Sequence, residues 1–166
     1  SGTVVHTANS IVRQYRPPSS QNITIAAGSF TFRDLELVCD TTGNNAAILT
    51  GTAVITNNLT VTSSGGNCFP KSTSGSDVWQ VGGNFSTDSS YYSTGAGYLL
   101  MNGTGAQSFT TNDHTLNMNV TVNKPSGVLT FTGTSGFGRN LTFVTDTVDY
   151  GTAIMKFNTQ TASTFD

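Results

Sequence analysis

The sequence predicts an all-β protein, and within that class it favours a parallel β-solenoid (β-helix), in which the chain winds into stacked coils. Three observations predict it: the composition, an alternation of apolar and polar residues, and a phrase that recurs along the chain. Thr, Ser, Asn and Gly make up 80 of the 166 residues, whereas Glu occurs once and charged residues reach only 10%. Long amphipathic helices depend on Glu, Lys, Leu, Ala and Arg, so the chain lacks the material for them. The hydrophobic share of 36%, with 10 Phe and 5 Tyr, is too high for a disordered polar tract.

The clearest strand is predicted over residues 114–122, where apolar and polar residues alternate. Leu116, Met118, Val120 and Val122 share one parity, and the Thr and Asn residues between them share the other. Because side chains of a strand point alternately to its two faces, the apolar set is expected to face the core. The same pattern predicts further inward residues: Ile23, Ile25, Leu35, Leu37, Leu59, Val61, Leu129, Phe131, Leu141 and Phe143.

The recurring phrase consists of Asn, an apolar residue and then Thr or Ser. It begins at five asparagines, whose successive spacings are 36, 26, 35 and 21 residues: Asn22, Asn58, Asn84, Asn119 and Asn140. The two shorter spacings agree with one coil of a solenoid, and the longer two indicate a coil that carries an insertion or has lost the phrase. An antiparallel β-sandwich or jelly roll is the alternative, because the same alternation after a turn occurs there. The single Asn-Gly pair, at Asn102, counts against it, since tight hairpins favour that turn.

Two regions are predicted along the chain. Residues 1–21 form an N-terminal arm, cap or linker, because Pro17 and Pro18 remove backbone donors and block regular strand pairing. Residues 22–166 form the solenoid, with an irregular insertion at about 63–80, where the sequence departs from the phrase. The apolar residues of the arm are expected to contact a neighbouring subunit, and the alternative is a cap on the chain's own first coil: Val4, Val5, Ile11 and Val12.

Three stretches carry a resemblance to a known family: residues 95–109 around Asn102-Gly-Thr-Gly-Ala-Gln107, residues 119–131, and residues 140–143. They resemble the β-strand-repeat surface proteins of bacteria, which are of the filamentous-haemagglutinin-like β-solenoid type. The match covers residues 81–143, is weaker over 22–62 and is absent over 1–21. The resemblance implies a secreted or cell-surface location and a role in stalks, adhesins or fibres. It implies no catalytic residue.

Several function classes lack support in the sequence. A net charge of -2 with seven scattered Lys and Arg residues provides no basic stripe for nucleic acid. No run of about 18 apolar residues is present, so no membrane insertion is expected. His6 and His114 have no ligand at metal-binding spacing, and no catalytic motif occurs. We therefore expect no enzyme activity and no cofactor.

Two close acidic pairs are the best candidates for a polar site. Asp34 and Glu36 are predicted to share an outer face near Arg33, and Asp146 lies close to Asp149. A solvated charged patch is the expected reading, and the alternatives are a weak Ca²⁺ site or a contact with a sugar.

The two cysteines, Cys39 and Cys68, are 29 positions apart in a chain that looks exported, since it begins without Met. A disulfide between neighbouring coils is predicted, with two buried free thiols as the alternative. Closing a loop of that length contributes about 3.5 kcal/mol in the chain-entropy model.

Six Asn-x-Ser/Thr sequences are candidates for glycosylation, although five of them coincide with the recurring phrase: Asn22, Asn58, Asn84, Asn102, Asn119 and Asn140. Trp79 shares its parity with Val81 and is expected in the core. Of the adjacent Tyr91 and Tyr92, one is expected to face outward.

These features predict an extracellular structural protein, either a stalk or a filament subunit that assembles head-to-tail with copies of itself through strand pairing. The second hypothesis is an adhesin that binds surface glycans. The third is an ice-binding solenoid, because outward Thr pairs recur, but the uneven coil lengths count against a flat Thr lattice.

Overall fold

The computed structural model describes residues 11–15, 23–39, 44–63, 67–88, 97–145 and 147–158. Within these ranges the regular structure is β-strand throughout, and every strand pair is parallel. The strands stack into a β-solenoid of about 5 turns, which confirms the predicted fold class.

The strands form three sheets, one on each side of the solenoid. Sheet 1 contains, in spatial order, β1 (Ile11–Tyr15), β3 (Asp34–Cys39), β5 (Leu59–Ser63), β8 (Phe85–Thr87), β10 (Gln107–Thr110), β13 (Leu129–Phe131) and β16 (Val148–Asp149). Sheet 2 contains β2 (Ile23–Phe32), β4 (Asn44–Ile55), β7 (Val78–Val81), β9 (Tyr98–Met101), β12 (Asn119–Val122) and β15 (Leu141–Phe143), with β6 (Asn67–Ser72) also beside β4. Sheet 3 contains β11 (Thr115–Leu116), β14 (Thr134–Phe137) and β17 (Ile154–Phe157).

The chain visits the three sides in the same order in each coil. β9 of sheet 2, β10 of sheet 1 and β11 of sheet 3 make up one coil, and β12, β13 and β14 make up the next. In the earlier coils β6 and the first halves of β2 and β4 take the position of sheet 3, because they follow a sheet 1 strand and precede a sheet 2 strand. A register shift within β2, between Ile25 and Gly28, marks this corner.

Coil lengths vary, but the inward side chains stay aligned from coil to coil. Leu129 lies beside Val148, 19 residues further on, whereas Ile55 lies beside Val81, 26 residues further on. The corners absorb the difference, so each inward side chain still lies above an inward side chain of the preceding coil.

Aromatic and aliphatic columns fill the interior. Along sheet 1, Leu35, Leu59, Phe85, Phe109 and Phe131 are consecutive register partners and are all buried. The ring centroids of Phe85 and Phe109 are 4.9 Å apart, and those of Phe109 and Phe131 are 5.3 Å apart. Each such side chain contributes roughly 1.5–3 kcal/mol by leaving water, so the columns are a main source of stability.

The inward residues predicted from parity are confirmed wherever their side chains are described; Ile23 is outside that part. Buried members are Ile25, Leu35, Leu37, Leu59, Val61, Leu116, Met118, Val120, Val122, Leu129, Phe131 and Leu141. Phe143 packs on the core but is only partly buried, because it belongs to the last coil. Trp79 and Val81 are buried as expected.

The single strand predicted over 114–122 is instead two strands on different sides of the solenoid. β11 lies in sheet 3 and β12 in sheet 2, and Met118 is buried at the corner between them. Period-two alternation continues through the bend, so the alternation by itself did not reveal it.

The irregular spacing of the phrase also has a structural cause. Asn58 and Asn84 precede strands of sheet 1, whereas Asn119 and Asn140 precede or begin strands of sheet 2. The spacing of 35 residues thus arises because the position in register with Asn84 in sheet 1 is Ser108, so that copy of the phrase is lost, and the next copy lies on another side, in sheet 2. Asn22 lies outside the described residues.

The segment predicted as an irregular insertion, 63–80, differs from that prediction. Residues 67–72 form β6, in register with the first half of β4, and 78–81 form β7, in register with its second half. Pro70 is accommodated because β6 has no described strand on its other side, and an edge strand tolerates a missing donor. Of the described residues in this segment, only the turn between the two strands is irregular.

Part of the N-terminal segment, predicted as an arm, cap or linker, is described: residues 11–15 form β1. β1 pairs with β3 of the same chain and places Val12 beside Leu35, so this part adds a strand to the chain's own solenoid, and a contact of the segment with a neighbouring subunit stays a prediction. Pairing within the chain avoids the entropy cost of association, which a contact with a second subunit incurs. Val4 and Val5 lie outside the described residues, as do the side chains of Ile11 and Val12.

Candidate functional site

The last described coil ends the described part of the solenoid. β15, β16 and β17 are the terminal strands of sheets 2, 1 and 3, and each pairs with a described strand on one side only. An edge strand offers backbone N–H and C=O groups to another strand. Three such edges, all at one end, make this coil the first candidate for a contact site.

Aromatic side chains cover this end of the core. Tyr150 stacks on Phe131 with a centroid separation of 6.1 Å and an interplanar angle of 4°, and Phe157 stacks on Phe137 at 5.6 Å. Phe131 and Phe137 are buried, whereas Tyr150 is 45% and Phe157 is 37% exposed. The exposed rings therefore continue buried columns. We call the inward side chains of this coil the end plate: Phe143, Val148, Tyr150, Met155 and Phe157.

Exposed hydrophobic side chains are concentrated near the same end. Among the described residues, the large hydrophobic side chains that are exposed lie in the last two coils: Val128 at 44%, Val144 at 59%, Tyr150 at 45%, Ile154 at 58% and Phe157 at 37%. Tyr150 and Phe157 belong to the end plate, whereas Val128 precedes β13 in the coil before it. Exposed apolar surface such as that of the end plate commonly marks an interaction site.

An ion pair fastens the last coil to an earlier turn. Lys156 of β17 donates to Oδ1 of Asp113, and both side chains are more than half exposed. The Lys156 ammonium, first through this hydrogen bond and then through its charge, lowers the pKa of Asp113. Asp113 and Asn112 have φ values of 68° and 47°, in the left-handed region that Asn and Asp tolerate better than most residues.

Asp34, of the acidic pair predicted on sheet 1, is the start of a polar ladder. Asp34 Oδ1 accepts hydrogen bonds from Asn57 Nδ2 at 2.7 Å and from Asn58 Nδ2 and the backbone N of Asn58, both at 3.1 Å. Asn58 Oδ1 accepts from the backbone N of Asn84 at 3.0 Å, and Asn84 Oδ1 accepts from that of Ser108 at 2.7 Å. Each side chain thus binds the next coil along the axis.

The hydrogen bonds of this ladder occupy polar groups on the outer face of sheet 1. Asp34 also pairs with Arg33 at 3.3 Å, so its carboxylate is committed to structural contacts. Among the described residues no group of three His, Cys, Asp or Glu side chains is placed to hold a metal ion. Asp149 Oδ1 accepts from the backbone N of Gly151 at 2.9 Å, and Asp146 lies outside the described residues.

The glycosylation candidates differ in accessibility. Asn84 and Asn140 are exposed, whereas Asn58, Asn102 and Asn119 are half-buried, and Asn22 is not described. A glycan on Asn58 would have to displace the hydrogen bond from its Nδ2 to Asp34, because that nitrogen is the glycan acceptor.

A buried polar corner, which sequence reasoning missed, links three successive coils where sheet 2 turns into sheet 1. The ammonium of Lys124 donates to Gly103 O at 2.8 Å, Gly105 O at 2.9 Å and Gln107 Oε1 at 2.7 Å. All three of its protons are therefore used within the preceding coil. Burial lowers the pKa of Lys124, and no ion pair to it is present among the described residues.

Gln107 repeats this arrangement one coil earlier. Its Nε2 donates to Val81 O at 3.0 Å and to Gly83 O, while its Oε1 accepts from the backbone N of Gly103 at 3.0 Å. Both side chains thus satisfy buried carbonyls of the coil before them. A polar residue in a turn is ordinarily assigned to solvent, so no local signal in the sequence marked either one.

A second buried polar group holds the turn between β6 and β7. Asp77 Oδ1 accepts from the backbone N of Gly51 at 2.7 Å, and Oδ2 accepts from those of Thr73 and Ser74, each at 2.7 Å. Thr73 Oγ1 adds a further hydrogen bond at 2.9 Å. Burial raises the pKa of Asp77, but the hydrogen bonds together outweigh that effect and hold it below its usual value.

The cysteines lie on strands of different sheets. Cys39 is in register with Ser63 in sheet 1, and Cys68 is in register with Asn45 of β4. Their side chains are outside the described part of the structure, so the disulfide stays a prediction.

The candidate aromatic platform for a sugar is only partly described. Trp79 is fully buried and has no face to offer to a ligand, while Tyr91 and Tyr92 fall outside the described residues. No helix among the described residues is long and apolar enough to cross a membrane.

Comparison of the chain with protein-family models, curated proteins and solved structures found no match.

Proposed function

We propose that this chain is a structural module, a stalk or filament subunit whose role is to form a stiff rod. Its place of action is outside the cell or at the cell surface, a proposal supported by the Thr-, Ser- and Asn-rich, weakly charged composition. The resemblance of its repeats to bacterial surface proteins supports the same location.

Stiffness is supported by the way the coils are joined. Parallel hydrogen-bonded ladders run along three sides, and aromatic columns fill the space between them. The ladder from Asp34 and the contacts of Lys124 and Gln107 add side-chain hydrogen bonds along the axis. To bend the solenoid, these bonds must be stretched on one side, so bending is costly.

The end plate is the observation that carries the proposal. It combines exposed aromatic rings with three strands that each pair with a described strand on one side only, all at one end of the axis. A contact made there with the opposite end of another copy does not close on itself, and contacts of that kind generate filaments.

Assembly is tested by electron microscopy and light scattering over a range of concentrations. The seven strands of sheet 1 span roughly 30 Å, at about 4.8 Å per spacing. We expect rods of one coil's width whose lengths increase in steps of about that size. A chain that remains monomeric at millimolar concentration would overturn the proposal.

The proposed disulfide between Cys39 and Cys68 belongs to this extracellular setting and has its own test. We expect the intact mass of the unreduced protein to be unchanged by an alkylating reagent under denaturing conditions. Uptake of two alkyl groups without prior reduction would show two free thiols instead.

A further inference from the structure

The two ends of the solenoid have complementary edges. At the N-terminal end, β1 is the first strand of sheet 1, and the first half of β2 takes the third side of the same coil. At the C-terminal end, β16 closes sheet 1 and β17 closes sheet 3. Among the described residues, the terminal strands on these two sides each have a strand partner on one side only, at both ends of the solenoid.

Building on the proposed function, we propose that the end plate binds the N-terminal end of a second copy of this chain. In this contact β16 lies beside β1 of the second copy, and β17 lies beside the first half of its β2. The contact surface is thus assigned to particular strands, and the partner is the chain itself.

Strand direction favours this pairing over its alternatives. Every described strand pair is parallel, and strands at both ends run the same way around the axis. Only a head-to-tail arrangement keeps a parallel ladder across the contact. Two C-terminal ends brought together would have to form antiparallel pairs, and their side-chain columns would not continue in step.

The apolar columns favour the same arrangement. Val12 and Gln14 are in register with Leu35 and Leu37, which are buried inward residues of sheet 1. By parity, Val12 then lies on the line of the column that ends at Tyr150. A second copy stacked in the same register would set the next position of that column over the Tyr150 ring, which removes the exposed ring from water.

The experiment uses variants that block one end at a time. Tyr150→Asp combined with Phe157→Asp places two carboxylates on the end plate, and Val128→Asp is the matched control, since Val128 is 44% exposed but outside the end plate. A folded globular domain fused directly to the N-terminus blocks the other end. Circular dichroism checks that each variant keeps its β-sheet signal, and sedimentation velocity reports assembly.

The polarity of the contact follows from mixing the two blocked proteins. We expect each to be monomeric alone and the mixture to form a one-to-one dimer, whereas Val128→Asp assembles like the original chain. Tyr150→Asp combined with Phe157→Asp should weaken assembly by at least about tenfold, because burying unpaired carboxylates costs more than the free energy of a tenfold change.

Other outcomes would overturn the inference and remain distinct from failure of the proposed function. If the N-terminally blocked protein dimerises alone, the contact joins two C-terminal ends. If the variant with Tyr150→Asp and Phe157→Asp still assembles fully, the contact lies elsewhere. A chain that ends at Asn158 adds a further check. If only that shorter chain assembles, residues 159–166 cover the end plate and no second copy does. The absence of any assembly in all these proteins would instead remove the proposed function.

Discussion

Lys124 places an ammonium group in a core that is otherwise mostly apolar. The free-energy cost of burying this charge is reduced, because three oxygen atoms of the preceding coil accept the hydrogen bonds that water would otherwise accept. The same oxygens need the lysine, since the backbone carbonyl of Gly103 is buried in a tight corner. The charge and the corner therefore stabilise each other.

Replacing Lys124 by Met is expected to lower the free energy of unfolding by about 1–3 kcal/mol, because Gly103 O and Gly105 O lose their donor. Urea denaturation measures the change. Lys156→Met is the matched control, since Lys156 is exposed, and should cost far less. Equal stability of Lys124→Met and the original protein would show that relief of the buried charge offsets the lost hydrogen bonds.

Asp77 is expected to make folding sensitive to acid. Its folded-state pKa lies below the ordinary Asp value of 3.8, so its stabilisation is fully present above that value and is lost as the pH falls through the folded-state pKa. Asp77→Asn should cost about 1–3 kcal/mol at neutral pH, because an amide NH₂ would face the backbone N–H groups of Thr73 and Ser74.

Thermal unfolding of both proteins between pH 7 and pH 2 tests this assignment. The difference in stability between them should shrink below pH 3.8 as Asp77 becomes protonated. A difference that stays constant over the whole range would show that Asp77 does not contribute as a carboxylate.

At the scale of the element, the corners decide how closely coils can stack. A Cβ atom on Gly103 would lie 1.8 Å from Gly82 O, whereas one on Gly105 would meet nothing within 4 Å. The two glycines are in the same corner, yet only Gly103 lies directly on the preceding coil.

Gly103→Ala is therefore expected to destabilise the protein by several kcal/mol or to prevent folding, and Gly105→Ala is expected to be nearly neutral. Chemical denaturation of the two variants makes the comparison. Similar stabilities would contradict the close approach of the coils at this corner.

Strand β12 allows a test of the two faces of one element. Val120 is buried between Leu99 and Leu141, while Thr121 points to the outer face. Val120→Asp should cost several kcal/mol by burying an unpaired charge, and Thr121→Asp should cost much less. Denaturation midpoints that fall by the same amount would contradict the assigned faces.

At the scale of the whole molecule, the end plate leaves apolar surface that assembly can cover. Because binding to the folded state stabilises it, the melting temperature is expected to rise with protein concentration. The variant with Tyr150→Asp and Phe157→Asp should melt at a temperature independent of concentration. Differential scanning calorimetry measures both, and a concentration-independent value for the original chain would argue against the contact.

The ice-binding alternative depends on the outer face of the whole solenoid. Uneven coil lengths count against a flat Thr lattice, yet the register on sheet 1 holds Thr60 beside Ser86 and Ser86 beside Thr110. Asn58 and Asn84 lie in the adjoining row, so the face is mixed and not a regular Thr array.

The sequence by itself determined the fold class and the direction of most core side chains. Parity is a local property of a strand, so Leu116, Val120 and Leu129 could be assigned to the core from their immediate neighbours. Only the tertiary structure decided where the corners lie, that β1 joins β3, that Lys124 is buried and that Tyr150 is left exposed. These features depend on which residues of successive coils, 19 to 26 positions apart, come into contact, and a period-two pattern carries no information about that pairing.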